Sequence, residues 1–250
     1  MSAFWQAVGF LTRFPVPKSA RTLDGWESSP RYFPLVGLLL GASVWLAEEL
    51  ADAIFGTSAA WLAAILTVAY WIFATGALHL DGWMDLADGL GSQRGRERAL
   101  EIMKDSRVGA MGVVAAIVLI LLKAAAVHQL VVAGGTGFLV AAPMLARWTL
   151  LPAIRYFPYV RENGLGNGLR QGVTPSVLAV NGALVIAVIF VLAGMKGLIV
   201  ALAVAASGWL FGKYIVRRLG GFTGDVYGAW IEAAETLALL AIWIRWPLMS

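Results

Sequence analysis

Three aspartates, Asp81, Asp85 and Asp88, follow one another at intervals of four and three residues in the stretch HLDGWMDLADGLG. On a helix that spacing sets all three carboxylates on one face. Like charges held so close repel, and the cost rises beside a membrane. A cation should therefore neutralise them, and a divalent ion that prefers oxygen ligands, such as magnesium or manganese, is the economical choice. The bland alternative is a solvated helix end capped by acids. His79, two residues before Asp81, could accept a proton, orient an aspartate, or serve only as a hydrogen-bonding group at the interface.

Downstream lie Arg94, Arg96, Arg98, Lys104 and Arg107. The first three fit a plain topological signal. Lys104, Asp105 and Arg107 stand where the chain re-enters an apolar stretch, and they are candidates for phosphate contacts, which the planar donor fork of arginine suits. A second polar group, GGFTGDVYGAWIEAAE at 220–235, exposes Thr223 and Asp225 on a glycine-rich turn. Glu232 and Glu235 follow inside an otherwise apolar run, where an acid is a functional candidate by default. Arg147 lies in another such run and should meet either an acid or a substrate phosphate. Lys123 and His128 read as snorkelling or packing residues, and the glycines of RENGLGNGLR at 161–170 could approach a nucleotide.

The elements that must position these groups are membrane helices. Of 250 residues, 60% are apolar and 14% charged, and the mean hydropathy is +0.77. A soluble domain carries roughly 25% charged residues, so the solvent of this chain is lipid. With no cysteine, disulfides, thiolate nucleophiles and cysteine-held metals are excluded, and two histidines leave no multi-histidine site. Seven stretches meet the length of about 20 apolar residues that a spanning helix needs: roughly 33–55, 59–79, 108–132, 138–155, 176–195, 197–214 and 229–247. Residues 2–14 are too short to span and should lie at the interface on Phe4, Trp5 and Phe10. Arg13, Pro15, Pro17 and Lys18 break that run too early for a cleavable signal peptide. The expectation is an all-α polytopic bundle of about seven transmembrane helices plus an interfacial N-terminal helix, one membrane-embedded unit over 1–250.

With the N-terminus inside, fifteen of the 19 Lys and Arg residues fall in inner segments, as cytoplasmic loops require. The net charge of +4 therefore reflects topology rather than a nucleic-acid partner. Inner segments are long, glycine-rich and acidic, whereas outer loops are tiny. Clustered aspartates beside basic residues on one face suggest magnesium-dependent phosphoryl transfer, with the cytoplasmic side of a cell membrane as its place.

TRFPVP at 12–17, FPLVGLLLG at 33–41, HLDGWMDLADGLG at 79–91, RALEIMKDSRVGAMG at 98–112 and GGFTGD at 220–225 resemble the cobalamin synthase family, block by block and in order. The resemblance implies an adenosylcobinamide-GDP ribazoletransferase of coenzyme B12 assembly. There α-ribazole, or its 5′-phosphate, attacks the phosphate on cobinamide in adenosylcobinamide-GDP and GMP leaves, with Mg2+ required. It implies Asp81, Asp85 and Asp88 for magnesium and the diphosphate, and Asp225 as a further metal ligand or acceptor-orienting acid. Lys104, Arg107 and Arg147 would meet phosphate, and His79 or an aspartate would serve as base. Association with other corrinoid-pathway enzymes is a family-level expectation, and the many glycines and alanines permit a homo-oligomer. Three rivals stand beside it, the blandest a purely structural membrane subunit. A CDP-alcohol phosphotransferase would need an Ala-Arg after Asp81–Gly82 that this chain lacks. An ion-coupled transporter would use Asp81, Glu232 and Arg147 as its relay.

Overall fold

A computed structural model of the chain describes residues 2–18, 24–161 and 164–244, which are almost wholly helical, with no β-strand among them. A short amphipathic helix, α1 (Ser2–Leu11), is followed by a 3-10 turn at Trp26–Tyr32 that leads into α2 (Phe33–Phe55). Then come α3 (Ala60–Thr75), α4 (Leu78–Gly91), α5 (Arg96–Ile102), α6 (Ala110–Ala133) and α7 (Phe138–Tyr156). A single turn, α8 (Leu169–Gly172), precedes the long α9 (Pro175–Leu219) and finally α10 (Gly224–Ala241).

Among the described residues, five helical stretches are long and apolar enough to cross a membrane: Trp26–Phe55, Thr57–Thr75, Ala110–Ala133, Phe138–Tyr156 and Pro175–Leu219. The chain is thus a polytopic helix bundle, and the difference from seven has local causes. The stretches expected at 176–195 and 197–214 are two arms of α9, which bends at Gly194 (φ 57°, ψ −151°), a conformation open to glycine and costly for other residues. A β-carbon added at Gly197 would meet the carbonyl of Ile189, eight residues back, so the chain doubles over there. The stretch expected at 229–247 corresponds to α10, whose 18 residues carry Asp225, Glu232 and Glu235 and fall outside the five. Its expected residues 245–247, like Arg21 and Arg245 of the charge pattern and residues 162–163 of the glycine-rich loop, lie outside the described residues.

The stretch expected at 59–79 is interrupted. Gly76 and Ala77 both take positive φ, and the Ala77 amide donates to the Ile72 carbonyl while Gly76 donates to Phe73. That is a Schellman stop. The Arg13 amide, in the TRFPVP block, donates to the next free carbonyl, Ala74, at 2.7 Å. With its end carbonyls satisfied, α3 stops and α4 leaves in a new direction.

The centre of the bundle is α7, buried along nearly its whole length between α2, α9 and α10. Gly37 and Gly41 of α2 lie against the α7 backbone at Pro143 and Val140, a small-xxx-small approach that lets two membrane helices meet closely. The outer faces carry the apolar surface that lipid covers: Ile54, Leu121, Val180, Val191 and Leu202 are all exposed. α1 packs by Phe4 on Tyr32 and by Phe10 on Trp26, anchoring the N-terminal arm beside the site described next.

Candidate functional site

Two glycines set the geometry. Gly82 on α4 faces the Asp225 backbone, where a β-carbon would come within 2.5 Å of the carbonyl oxygen. Gly228, one turn into α10, faces the backbone of His79. The two helices therefore cross closely, and the crossing brings Asp81 and Asp85 to the start of α10. That start is fixed by Thr223, whose hydroxyl accepts from the Val226 amide at 3.3 Å, a helix cap.

Asp225 is held by Arg161, which donates from Nη2 to Oδ2 at 2.7 Å. Arg161 is placed by a short backbone pairing. The Val160 amide donates to the Phe222 carbonyl at 2.9 Å, and the Phe222 amide donates to Pro158 at 2.8 Å. The same guanidinium reaches the Met103 carbonyl at 3.4 Å, next to Lys104. Asp81, Arg161 and Asp225 line one side of a cavity of about 280 Å³. Its other walls come from α1, α2, α7, α8 and α10, through residues such as Phe10, Phe33, Leu150 and Tyr227.

Asp85 is half-buried beside this cluster. Burial, then the charges of Asp81 and Asp225, push its carboxyl up to about 7, with Arg161 opposing. Asp88 has another partner. Its two oxygens accept from the amides of Gly109 and Gly112, each at 2.7 Å. These are unpaired donors at the start of α6, where a negative charge also meets the positive end of the helix dipole.

The other expected residues divide in the same way. Thr223 and Asp225 join Asp81 and Asp85. Lys104 and Arg107 are exposed and do not line the cavity, and Asp105 is bound by Arg107 at 2.6 Å, whose hydrogen bonds hold its carboxyl down to about 2. His79 belongs to the cavity wall, but both ring nitrogens are buried and without a hydrogen-bond partner among the described residues. Arg147 is fully buried and pairs through Nη1 with an acid, Glu235, at 2.6 Å, while its Nε and Nη2 have no hydrogen-bond partner among the described residues. Lys123 completes that group, bridging Glu232 at 2.6 Å and Glu235 at 2.8 Å beneath the Trp71 ring. This quartet ties α6, α7 and α10 together within the bundle.

Arg161 and the aromatic walls were not singled out by the sequence. Arg161 reads there as one more inner-face cation, and only its pairing with a residue 64 positions on gives it a role.

Among the described residues, no three histidine, aspartate and glutamate side chains converge tightly enough to form a complete metal cage. Magnesium asks for less, since it is usually held by one or two carboxylates, with water and substrate phosphate completing the shell. Asp81, Asp85 and Asp225 offer hard oxygen donors of that kind, so the residues fit the ion.

Fold and site together define a polytopic membrane protein with a carboxylate and guanidinium cluster opening onto a largely apolar cavity. A family model described as Cobalamin-5-phosphate synthase matches residues 3–243, and the chain belongs to that family. A relative from Brevibacillus brevis is 43% identical over 98% of this chain and 99% of its own length. One from Desulfitobacterium hafniense is 39% identical, covering 96% of each chain, and one from Desulforamulus reducens is 41% identical, covering 94% of each. All three carry the name adenosylcobinamide-GDP ribazoletransferase. No solved structure matches the chain.

Proposed function

We propose that this protein is an adenosylcobinamide-GDP ribazoletransferase acting late in coenzyme B12 assembly, magnesium-dependent and working at the cytoplasmic face of the cell membrane. The observation that carries the reading is the convergence of Asp81 and the Arg161-bound Asp225 at one cavity, with Asp85 within reach of both charges behind them, in a chain of this family. A diphosphate ester and an alcohol need negative charge neutralised, an oxygen nucleophile oriented and a proton removed. The cluster contains the groups for each task.

In this reading a ribose hydroxyl of α-ribazole, or of its 5′-phosphate, attacks the phosphorus attached to cobinamide. A new phosphorus–oxygen bond forms, the bond to GMP breaks, and GMP leaves with the electron pair. The hydroxyl proton passes to a carboxylate oxygen of Asp81, which lines the cavity. Asp85 and Asp225 would hold magnesium, which when bound would supply charge neutralisation for the diphosphate, and Asp81 is left free to take the proton. Arg161 orients Asp225 and offers its remaining donors to phosphate. Thr223 fixes the helix start on which Asp225 rides.

The test is GMP release by the purified protein in liposomes given adenosylcobinamide-GDP and α-ribazole, with magnesium or with a chelator. Magnesium-dependent release with matching cobalamin formation, lost in a folded Asp81→Asn variant, is the expected result. Absence of release from folded wild-type protein with either form of ribazole would sink the assignment.

A further inference from the structure

The cavity beside the aspartates is two-sided in its chemistry. Its charged groups gather at one side, because Arg161 is bonded to Asp225 and Asp81 adjoins the glycine that touches the Asp225 backbone. Most of the rest of the wall is apolar or aromatic, with Phe10 from α1, Phe33 from α2, Leu150 and Ile154 from α7 and Ile231 from α10, and His79 is its one further titratable side chain outside the tyrosines. Its volume of about 280 Å³ lies at the small end of small-molecule pockets, which run from roughly 300 to 1,000 Å³.

The substrates of the proposed reaction differ in what such a space can take. A corrin ring is far too large, and its rim of amides would lose their hydrogen bonds against phenylalanine and leucine. Guanine carries donors and acceptors on several edges, and burying them without partners is costly. The base of α-ribazole is a flat, fused bicycle with two methyl groups and a single free ring nitrogen, so nearly all of its surface gains from leaving water. Resting on the function proposed above, we infer that the cavity receives the dimethylbenzimidazole base of α-ribazole, with the ribose turned toward Asp81 and Asp225. The corrinoid diphosphate then approaches from outside, on the basic face.

Two variants and one wild-type comparison test this. A β-carbon at Gly224 meets no atom within 4 Å, so Gly224→Leu starts from a position with room and adds bulk at the cavity wall, while Phe10→Ala removes an aromatic wall distant in sequence from the acids. KM for each substrate is read from GMP release in nanodiscs. The expected result is a KM for α-ribazole raised about tenfold in both variants, with the KM for adenosylcobinamide-GDP changed less than about twofold. On wild-type protein, the riboside of benzimidazole without methyls should bind about tenfold more weakly than α-ribazole, the loss expected for two buried methyl groups. If the variants raise the KM for adenosylcobinamide-GDP instead, or if wild type is indifferent to the methyls while turning over normally, the pocket assignment falls and the transferase reading stands. If wild type does not turn over at all, the transferase reading fails and takes this assignment with it.

Discussion

Arg161 and Asp225, 64 residues apart in the chain, are joined by a 2.7 Å ion pair at the side wall of the cavity. Both side chains are about one quarter exposed, at 26% and 22%, so the pair is neither free in water nor sealed. Its loss would leave Asp225 without its orienting partner. Arg161→Ala is expected to lower kcat/KM for adenosylcobinamide-GDP by 10- to 100-fold, about 1.4–3 kcal/mol, the range for a charged hydrogen bond. Arg161→Lys should recover part of it. Steady-state GMP release measures both.

Asp88 offers a contrasting outcome. Both its oxygens are engaged by amides at the start of α6, so its substitution should act on the fold. Asp88→Ala is expected to cost about 1–2 kcal/mol, as for a lost helix cap. Thermal unfolding in detergent would register it, while the magnesium dependence of turnover at low temperature stays unchanged. A strong rise in the magnesium requirement would instead make Asp88 a ligand.

Glu235 answers to two cations, Lys123 and Arg147, whereas Glu232 answers to Lys123. Breaking a buried pair from one side leaves an uncompensated charge, at a cost of about 3–5 kcal/mol. Glu235→Gln should therefore unfold at much lower denaturant than wild type, and Glu232→Gln should be milder, since Lys123 keeps Glu235. Equal destabilisation by the two would refute the unequal sharing.

Gly82 has no room for a methyl group, because the Asp225 backbone occupies the space. Gly82→Ala should force α4 and α10 apart and reduce turnover more than about 100-fold, the scale for displacing positioned groups by about 1 Å. Gly95→Ala is the control, since its β-carbon would meet only the tip of the Glu97 side chain at 4.0 Å. Size-exclusion profiles of both variants should match wild type.

Much of this was legible in the sequence, for identifiable reasons. Hydrophobic runs announce membrane helices because lipid imposes one solution on the backbone. The resemblance grouped Asp225 with Asp81 and Asp85, and the structure brings the three near one another, whereas Glu232 and Glu235 of the same stretch go to the buried quartet. The interruption at Gly76–Ala77 was not legible, since one glycine in a mostly apolar run does not announce a Schellman stop, and the Arg13 amide that takes the next carbonyl comes from far away in the chain. Lys123 read as a snorkelling residue because its partners lie more than 100 positions away. For Arg147 the sequence left two partners open, an acid or a phosphate, and packing supplies the acid, Glu235, from 88 positions away. Arg161 hid among topological cations, since nothing local distinguishes a guanidinium that will meet an aspartate from one that will meet water.

The buried quartet also has an electrical consequence. Lys123 and Arg147 bring two positive charges into the bundle, and Glu232 and Glu235 bring two negative ones, each in contact with its opposite. A membrane voltage does work only on net charge displaced across it, about 2.3 kcal/mol per charge for each 100 mV. A quartet that sums to zero gives the voltage nothing to pull on. In an energised bilayer the quartet itself should therefore add no voltage dependence to turnover, whereas the unbalanced relay of an ion-coupled carrier would make a diffusion potential speed it up or stall it.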